Sequence, residues 1–199
     1  MNTKQPRGRN GLLALTLLLA ACTADAPAER PLAGTPIGGA FALTAADGST
    51  VTNDSLKGAW RLVYFGYTFC PDICPVDAER MGRAYAQLER AAPDLAARLT
   101  PIFISVDPAR DTPEIADEFA KNFHPDMIGL SGHQAAIDQA VDAYLVAATR
   151  EPAREDGFYL MAHSAYIYLM DDNGDPVNTY DREATPDMIA EDVRRWMGA

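Results

Sequence analysis

The chain predicts an α/β sandwich. A central mixed sheet carries a hairpin on its N-terminal side and a second hairpin plus helix at its C-terminal end. Two observations point to it. Residues 61–65 and 101–106 are β-branched and aromatic runs of the kind buried in parallel strands, and residues 76–91 between them suit a crossover helix. Downstream, residues 165–170 and 177–180 flank the turn signal Asp172-Asn173-Gly174, and Thr185-Pro186 then opens a last helix ending near Trp196.

The other elements follow in order. Residues 41–43 and 50–52 flank Asp47-Gly48, which marks the first hairpin. Thr112-Pro113 is a helix start, because threonine caps the free N–H groups and proline has none to lose at the first helical position. Ser131 with Gln134 three residues on reads as a capping box for a further helix. Residues 151–157 are charged and turn-rich, and predict a loop leading to His163. The chain has no internal repeats.

The N-terminus predicts a compartment. Lys4, Arg7 and Arg9 precede an apolar run at residues 12–21, too short to span a bilayer but suited to the core of a signal peptide. Leu19-Ala20-Ala21-Cys22 has the form of a bacterial lipoprotein cleavage box, which would make Cys22 the lipidated first residue. The alternative is ordinary signal cleavage with Cys22 an incidental thiol. The expected organisation is a signal peptide at 1–21, a flexible tether rich in Ala, Pro and Gly at 22–39, and one domain at 40–199, facing the periplasm. Residues 1–21 hold three basic and no acidic groups, so their removal takes the formal charge from -11 to -14. So acidic a body argues against nucleic acid and against direct adhesion to anionic lipid, and is compatible with a basic partner surface.

The chemistry centres on Cys70 and Cys74, each followed by proline, just after the first buried strand. Thiolates are soft ligands that serve Cu(I), zinc or redox exchange. The spacing is one residue wider than the usual Cys-x-x-Cys redox pair, which favours metal. A structural disulfide or a pair of inert buried thiols remains the alternative. Proline keeps Cys70 out of a helix interior, and the expected arrangement has Cys70 in a strand-to-helix turn, Cys74 near the N-cap and Pro75 at the first helical position. In an oxidising compartment Cys70 and Cys74 would become a disulfide unless metal or a reductant intervenes. Taken alone, His163 reads as a structural histidine more readily than as a ligand, and His124 and His133 read as surface residues. Met161 shares a face with His163 if both are extended, with core packing its expected role. Asp107 and Asp111 bracket a turn after the second core strand, which is their expected role, with Asp111 satisfying backbone donors near the helix start; a place for Asp107 behind a metal ligand is the alternative. Of Tyr64, Tyr67 and Phe69, one is expected to shield the site from water.

The run Phe65-Gly66-Tyr67-Thr68-Phe69-Cys70-Pro71-Asp72-Ile73-Cys74-Pro75, followed by Met81, resembles the signature of the Sco/SenC family of copper-handling proteins. Phe103-Ile104-Ser105-Val106-Asp107-Pro108-Ala109-Arg110-Asp111-Thr112-Pro113, Ile128-Gly129-Leu130-Ser131-Gly132 and His163-Ser164 match further blocks in the same order, over roughly residues 38–197. The resemblance implies a thioredoxin-like fold in which Cys70, Cys74 and His163 hold copper, as Cu(I) or Cu(II). It also implies delivery to the binuclear copper site of cytochrome c oxidase subunit II. Other periplasmic copper carriers and thioredoxin-like reductants are further expected partners, together with the membrane through lipid on Cys22. The other reading is a thiol-disulfide oxidoreductase that keeps partner cysteines reduced through Cys70 and Cys74 alone. A thiol peroxidase is disfavoured, since neither cysteine is preceded by the Pro-x-x-x-Thr/Ser-x-x-Cys pattern. One position departs from the family: Ala162 stands where an aspartate usually precedes the ligand histidine. The expectation is that His163 is held less firmly for want of that carboxylate.

Overall fold

The computed structural model describes residues 1–2 and 29–198. Most of the expected signal peptide, Cys22, and the tether as far as residue 28 lie outside the described residues. Strand β3 (Trp60–Gly66) is the centre of a mixed sheet whose order is β5-β4-β3-β8-β9. It pairs in parallel with β4 (Leu99–Ser105), which pairs in parallel with β5 (Ile128–Leu130). On its other side β3 pairs antiparallel with β8 (Ile167–Met170), which turns at Asp171 to Gly174 into β9 (Pro176–Tyr180). Every residue of β3 is buried, so apart from Arg61, which bonds to Asn53, its sequence reads as an apolar run rather than an alternation.

Helices cover both faces. α1 (Ile73–Ala91) makes the crossover from β3 to β4 and buries Cys74, Ala78, Met81, Tyr85 and Leu88 along one stripe. The single turn α2 (Pro93–Ala96) follows it, and α3 (Pro113–Lys121), capped by Thr112, links β4 to β5. Tyr64 and Phe103 stand in register on adjacent strands, and Phe103 meets Phe119 of α3 at 4.7 Å, which puts α3 on the Tyr64 side of the sheet. The last helix, α5 (Pro186–Met197), packs beside α1. On the opposite face Phe65, Tyr144 and Tyr168 interlock, joined by Phe41 at the start of the hairpin β1 (Ala42–Thr44) and β2 (Thr50–Thr52), and by α4 (Gln134–Ala143). A separate hairpin of β6 (Ala148–Arg150) and β7 (Met161–His163) stands outside the main sheet.

Several expectations are corrected. Residues 30–38, assigned to the tether, run along the domain: Arg30 pairs with Asp171 at 2.5 Å, Leu32 N–H donates to Val177 and Gly38 N–H to Ala143. Ser131 does not cap α4. Its backbone bridges to Thr44 and its hydroxyl donates to the Asp111 carbonyl, so His133 takes the cap and accepts from Ala136 N–H through Nδ1. His124 is buried rather than on the surface, with Nε2 at 2.9 Å from Glu89 and its ring edge-on to Tyr85. The segment at 151–157 is a turn-rich loop as expected, tied across its base by Glu151 N–H to Leu160 and Arg154 N–H to Phe158.

Helix α3 approaches β5 so closely that a Cβ at Gly129 would fall on the Ala116 carbonyl. Backbone on both sides leaves no side chain to move aside. Gly129→Ala is therefore expected to cost at least about 3 kcal/mol, the upper end of ordinary overpacking, measured as a lowered midpoint in urea denaturation.

Candidate metal centre

The cysteine loop is fixed by a buried carboxylate. Beyond β3 the chain runs through Tyr67, Thr68 and Phe69 to Cys70, and Thr68 is the anchored residue. Its N–H donates to Asp111 Oδ2 at 2.9 Å and its hydroxyl to Oδ1 at 2.6 Å, while Ser105 Oγ donates to Oδ2 at 2.6 Å. Asp111 is fully buried, so these donors take the place of water for its charge. Asp111 does satisfy a backbone donor, but that donor is Thr68 N–H in the cysteine loop, and the other two are the hydroxyls of Thr68 and of Ser105 at the end of β4.

The helix begins earlier than the prolines suggested. Asp72 is the N-cap, so Cys74 is the second helical residue and Pro75 the third. Pro75 is tolerated because the first-turn N–H groups have no partner within the helix. Asp72 offers no side-chain cap; Cys70 Sγ instead accepts from Cys74 N–H at 3.4 Å. Burial alone would raise the Cys70 thiol. The N–H groups of Asp72, Ile73 and Cys74 outweigh it, and the Cys70 pKa lies below the ordinary thiol value. Cys74 is the opposite case, with burial and then the neighbouring Cys70 pushing it well up. Its Sγ packs against β3 where Gly66 leaves room, since a Cβ there would stand 3.2 Å from the sulfur. Both cysteines are free thiols.

His163 comes to them on β7. Its Nε2 lies 3.2 Å from Cys74 Sγ, and its Nδ1 lies 3.0 Å from the Ser164 carbonyl. A carbonyl only accepts, so Nδ1 carries the hydrogen and Nε2 turns its lone pair to Cys74. Burial lowers the His163 pKa, which favours this neutral form. Tyr67 and Tyr64 stand edge-on to the ring at 5.8 and 6.3 Å and screen it from water, whereas Phe69 is 52% exposed. Ala162 points to the far side of β7 and is exposed. Nδ1 already has its acceptor in Ser164, so the want of a carboxylate at 162 does not leave the ring unsupported.

Among the described residues no three donors are already gathered as a ready metal cluster. Cys74 and His163 touch, and Cys70 Sγ is hydrogen-bonded to the Cys74 N–H. The chemistry of the set, two thiols and a neutral imidazole, fits a soft or borderline cation.

This arrangement has counterparts. The SCO1/SenC family model matches residues 29–198. The chain belongs to that family. Protein SenC of Rhodobacter capsulatus is 42% identical over 171 residues, spanning 84% of this chain and 73% of that one. A copper-bound ScoI of Bradyrhizobium japonicum is 41% identical with a TM-score of 0.72, covering 80% of this chain and 99% of that one. A copper-bound ScoI of Arabidopsis thaliana is 35% identical with a TM-score of 0.75, covering 82% and 99%. The fold is thus thioredoxin-like, as the family resemblance implied.

Beside the residues singled out from sequence, this Sco-family site holds others that sequence reading missed. Asp77, one turn after Cys74, is fully buried with an ion-pair contact to Arg80 at 2.9 Å, and burial raises its pKa. Asp107 does not approach the His163 ring through a bond of its own; it accepts from the Tyr159 hydroxyl at 2.8 Å and from Arg110 Nε at 2.5 Å. The pattern of small and charged residues around Tyr159 hid it, and only an aromatic pair, Phe158-Tyr159, inside a polar turn could have drawn attention. Met161 is half-buried and packs against the core, as expected.

The unequal thiols give a direct test. In the metal-free, reduced protein, iodoacetamide should alkylate Cys70 first, with a rate that rises at lower pH than for an ordinary thiol, because the thiolate is the reacting form. Cys74 should stay unmodified over the same range. Mass mapping of the alkylated residues against pH checks both.

Proposed function

We propose that this protein is a copper chaperone, tethered to a membrane through lipid on Cys22 and facing the periplasm, which carries one copper ion on Cys70, Cys74 and His163. The single observation that supports it is the contact between Cys74 Sγ and His163 Nε2 at 3.2 Å, with the other ring nitrogen already bonded to Ser164. This pair brings together, across 89 residues of sequence, donors suited to both oxidation states of copper. The copper-bound relatives support the same cargo. The proposed recipient is the binuclear copper site of cytochrome c oxidase subunit II. The protein's residues do the following. Cys70 is predisposed to the thiolate at the mouth of the site, Cys74 gives up its proton on loading, and His163 enters neutral with its Nε2 lone pair turned to Cys74.

A second reading is favoured by the unequal thiol acidities. In thiol-disulfide exchange the Cys70 thiolate attacks one sulfur of a partner disulfide, forming a mixed disulfide and releasing the other sulfur as a thiolate. Cys74, having lost its proton, then attacks Cys70 Sγ, which closes the Cys70–Cys74 disulfide and releases the partner as a dithiol. Simple exchange has no need of His163, and this separates the two readings.

The reduced soluble domain should bind one copper per chain. Cys70→Ala and Cys74→Ala should each abolish tight binding, because each removes an anionic soft ligand. His163→Ala should weaken Cu(II) more than Cu(I), since two thiolates still hold Cu(I). Competition titrations in both oxidation states check this, and unchanged affinity in the double cysteine variant would sink the chaperone reading.

Verified oxidation to the Cys70–Cys74 disulfide should release the copper, as a disulfide offers no thiolate. Metal analysis after gel filtration of the oxidised protein measures it; full retention would contradict the proposed ligand set.

A further inference from the structure

The hairpin that carries His163 is not hydrogen-bonded into the main sheet, so something else must set its distance from Cys74. From the geometry around Tyr159 we infer that this residue is a positioning residue for His163, clamping the β6–β7 hairpin to the turn after β4. Tyr159 lies four residues before His163 and is 7% exposed. Its hydroxyl donates to Asp107 Oδ1 at 2.8 Å, and its carbonyl accepts from Arg110 Nη1 at 3.0 Å. The guanidinium carbons of Arg110 and Arg150 stand 3.6 and 3.7 Å from its ring centroid. Two guanidinium planes cannot share one face at those distances, so the ring lies between them. Each contributes a cation–π attraction, strengthened where water is excluded.

The three partners of Tyr159 lie in two places. Arg150 belongs to β6, opposite Met161 in the hairpin ladder, so its stack holds the hairpin's own two arms together. Asp107 and Arg110 belong to the turn after β4, and Arg110 Nε also donates to Asp107 Oδ2 at 2.5 Å. The same turn ends at Asp111, which holds Thr68 two residues before Cys70. The cysteine loop and the histidine hairpin are therefore referred to one rigid segment, Asp111 fixing one and Asp107 with Arg110 fixing the other through Tyr159. Arg110 also reaches over the rings of Phe69 and Tyr67, so the clamp closes across the mouth of the site.

The consequence for copper rests on the chaperone reading, but the clamp itself is a property of the metal-free protein. Two variants separate its parts. Tyr159→Phe keeps the ring and its two cations and loses the bond to Asp107. Tyr159→Leu loses both. Hydrogen exchange on the reduced, metal-free protein should show faster exchange in the hairpin, at Glu151, Arg154 and Ser164, most in the leucine variant and less in the phenylalanine variant. Protection in β3 and β4 should be kept. In copper titrations Tyr159→Leu should lower Cu(II) affinity about 10–100-fold, the usual effect of removing a group that holds a ligand in place. Cu(I) affinity should be nearly unchanged, and the sulfur-to-Cu(II) absorption band should shift. Unchanged hairpin exchange in Tyr159→Leu, loss of protection spread evenly over the whole domain, or parallel weakening of Cu(I) and Cu(II) would each overturn the inference. If the unmodified protein binds no copper the chaperone reading fails, and hydrogen exchange alone then decides for or against the clamp.

Discussion

The carboxylate of Asp111 is the constraint on which the site depends. It is fully buried and accepts from Thr68 N–H, Thr68 Oγ1 and Ser105 Oγ. Hydrogen bonds to a charged group contribute about 1.5–3 kcal/mol each, and losing the acceptor leaves each buried donor unpaired. These bonds fix where the chain leaves β3, and so where α1 begins and where Cys70 and Cys74 stand. The Asp111 carbonyl also accepts from Ser131 Oγ, which ties the end of β5 to the same point. Three segments distant in sequence meet on one residue that binds nothing itself.

Given that frame, the two cysteines divide the work by burial. Cys70 lies at the helix N-terminus, half-exposed, where three N–H groups favour the thiolate. Cys74, one turn on, is shut against β3 and keeps its proton. The same helix start acts on both, yet desolvation wins at Cys74 and loses at Cys70. Exposure, not spacing, makes them different. This asymmetry serves either proposed role, because metal loading and disulfide exchange both begin at the accessible thiolate.

Much of this was legible in the sequence, and the parts that were not share a cause. The long elements, β3, α1, β4 and α5, declared themselves by apolar runs and caps, with boundaries a few residues off at Cys74 and Pro75. Cys70 and Cys74 stood out by their prolines. Hidden were the contacts made only by the fold: the three-residue strands β5, β6 and β7, too short for any periodicity, and the cap at His133, decided by where Ser131 was needed. Tyr159 was hidden too, since its partners lie on two other segments. The Ala162 departure misled because a neighbour in sequence was taken for a neighbour of the ring. In a strand, adjacent side chains point to opposite faces, and it was the Ser164 carbonyl that reached Nδ1.

The protonation pattern also bears on the direction of transfer. His163 is neutral with Nδ1–H committed to Ser164, so it needs no proton removed to become a ligand. The Cys70 pKa lies below the ordinary thiol value, while burial pushes Cys74 well up. The proton cost of loading a cation therefore falls more heavily on Cys74, whose S–H faces Nε2. Metal binding to protonated ligands releases protons and weakens as pH falls. Asp77 is buried beside Tyr64 and paired with Arg80, and burial raises its pKa, so it adds no strong negative charge to the site. In the proposed role such a site gains from the cation what burial cost it. Exposed Phe69 and half-exposed Cys70 leave one side of the site open to solvent, and in the proposed role the ion would leave by that side while Cys74 recovers its proton.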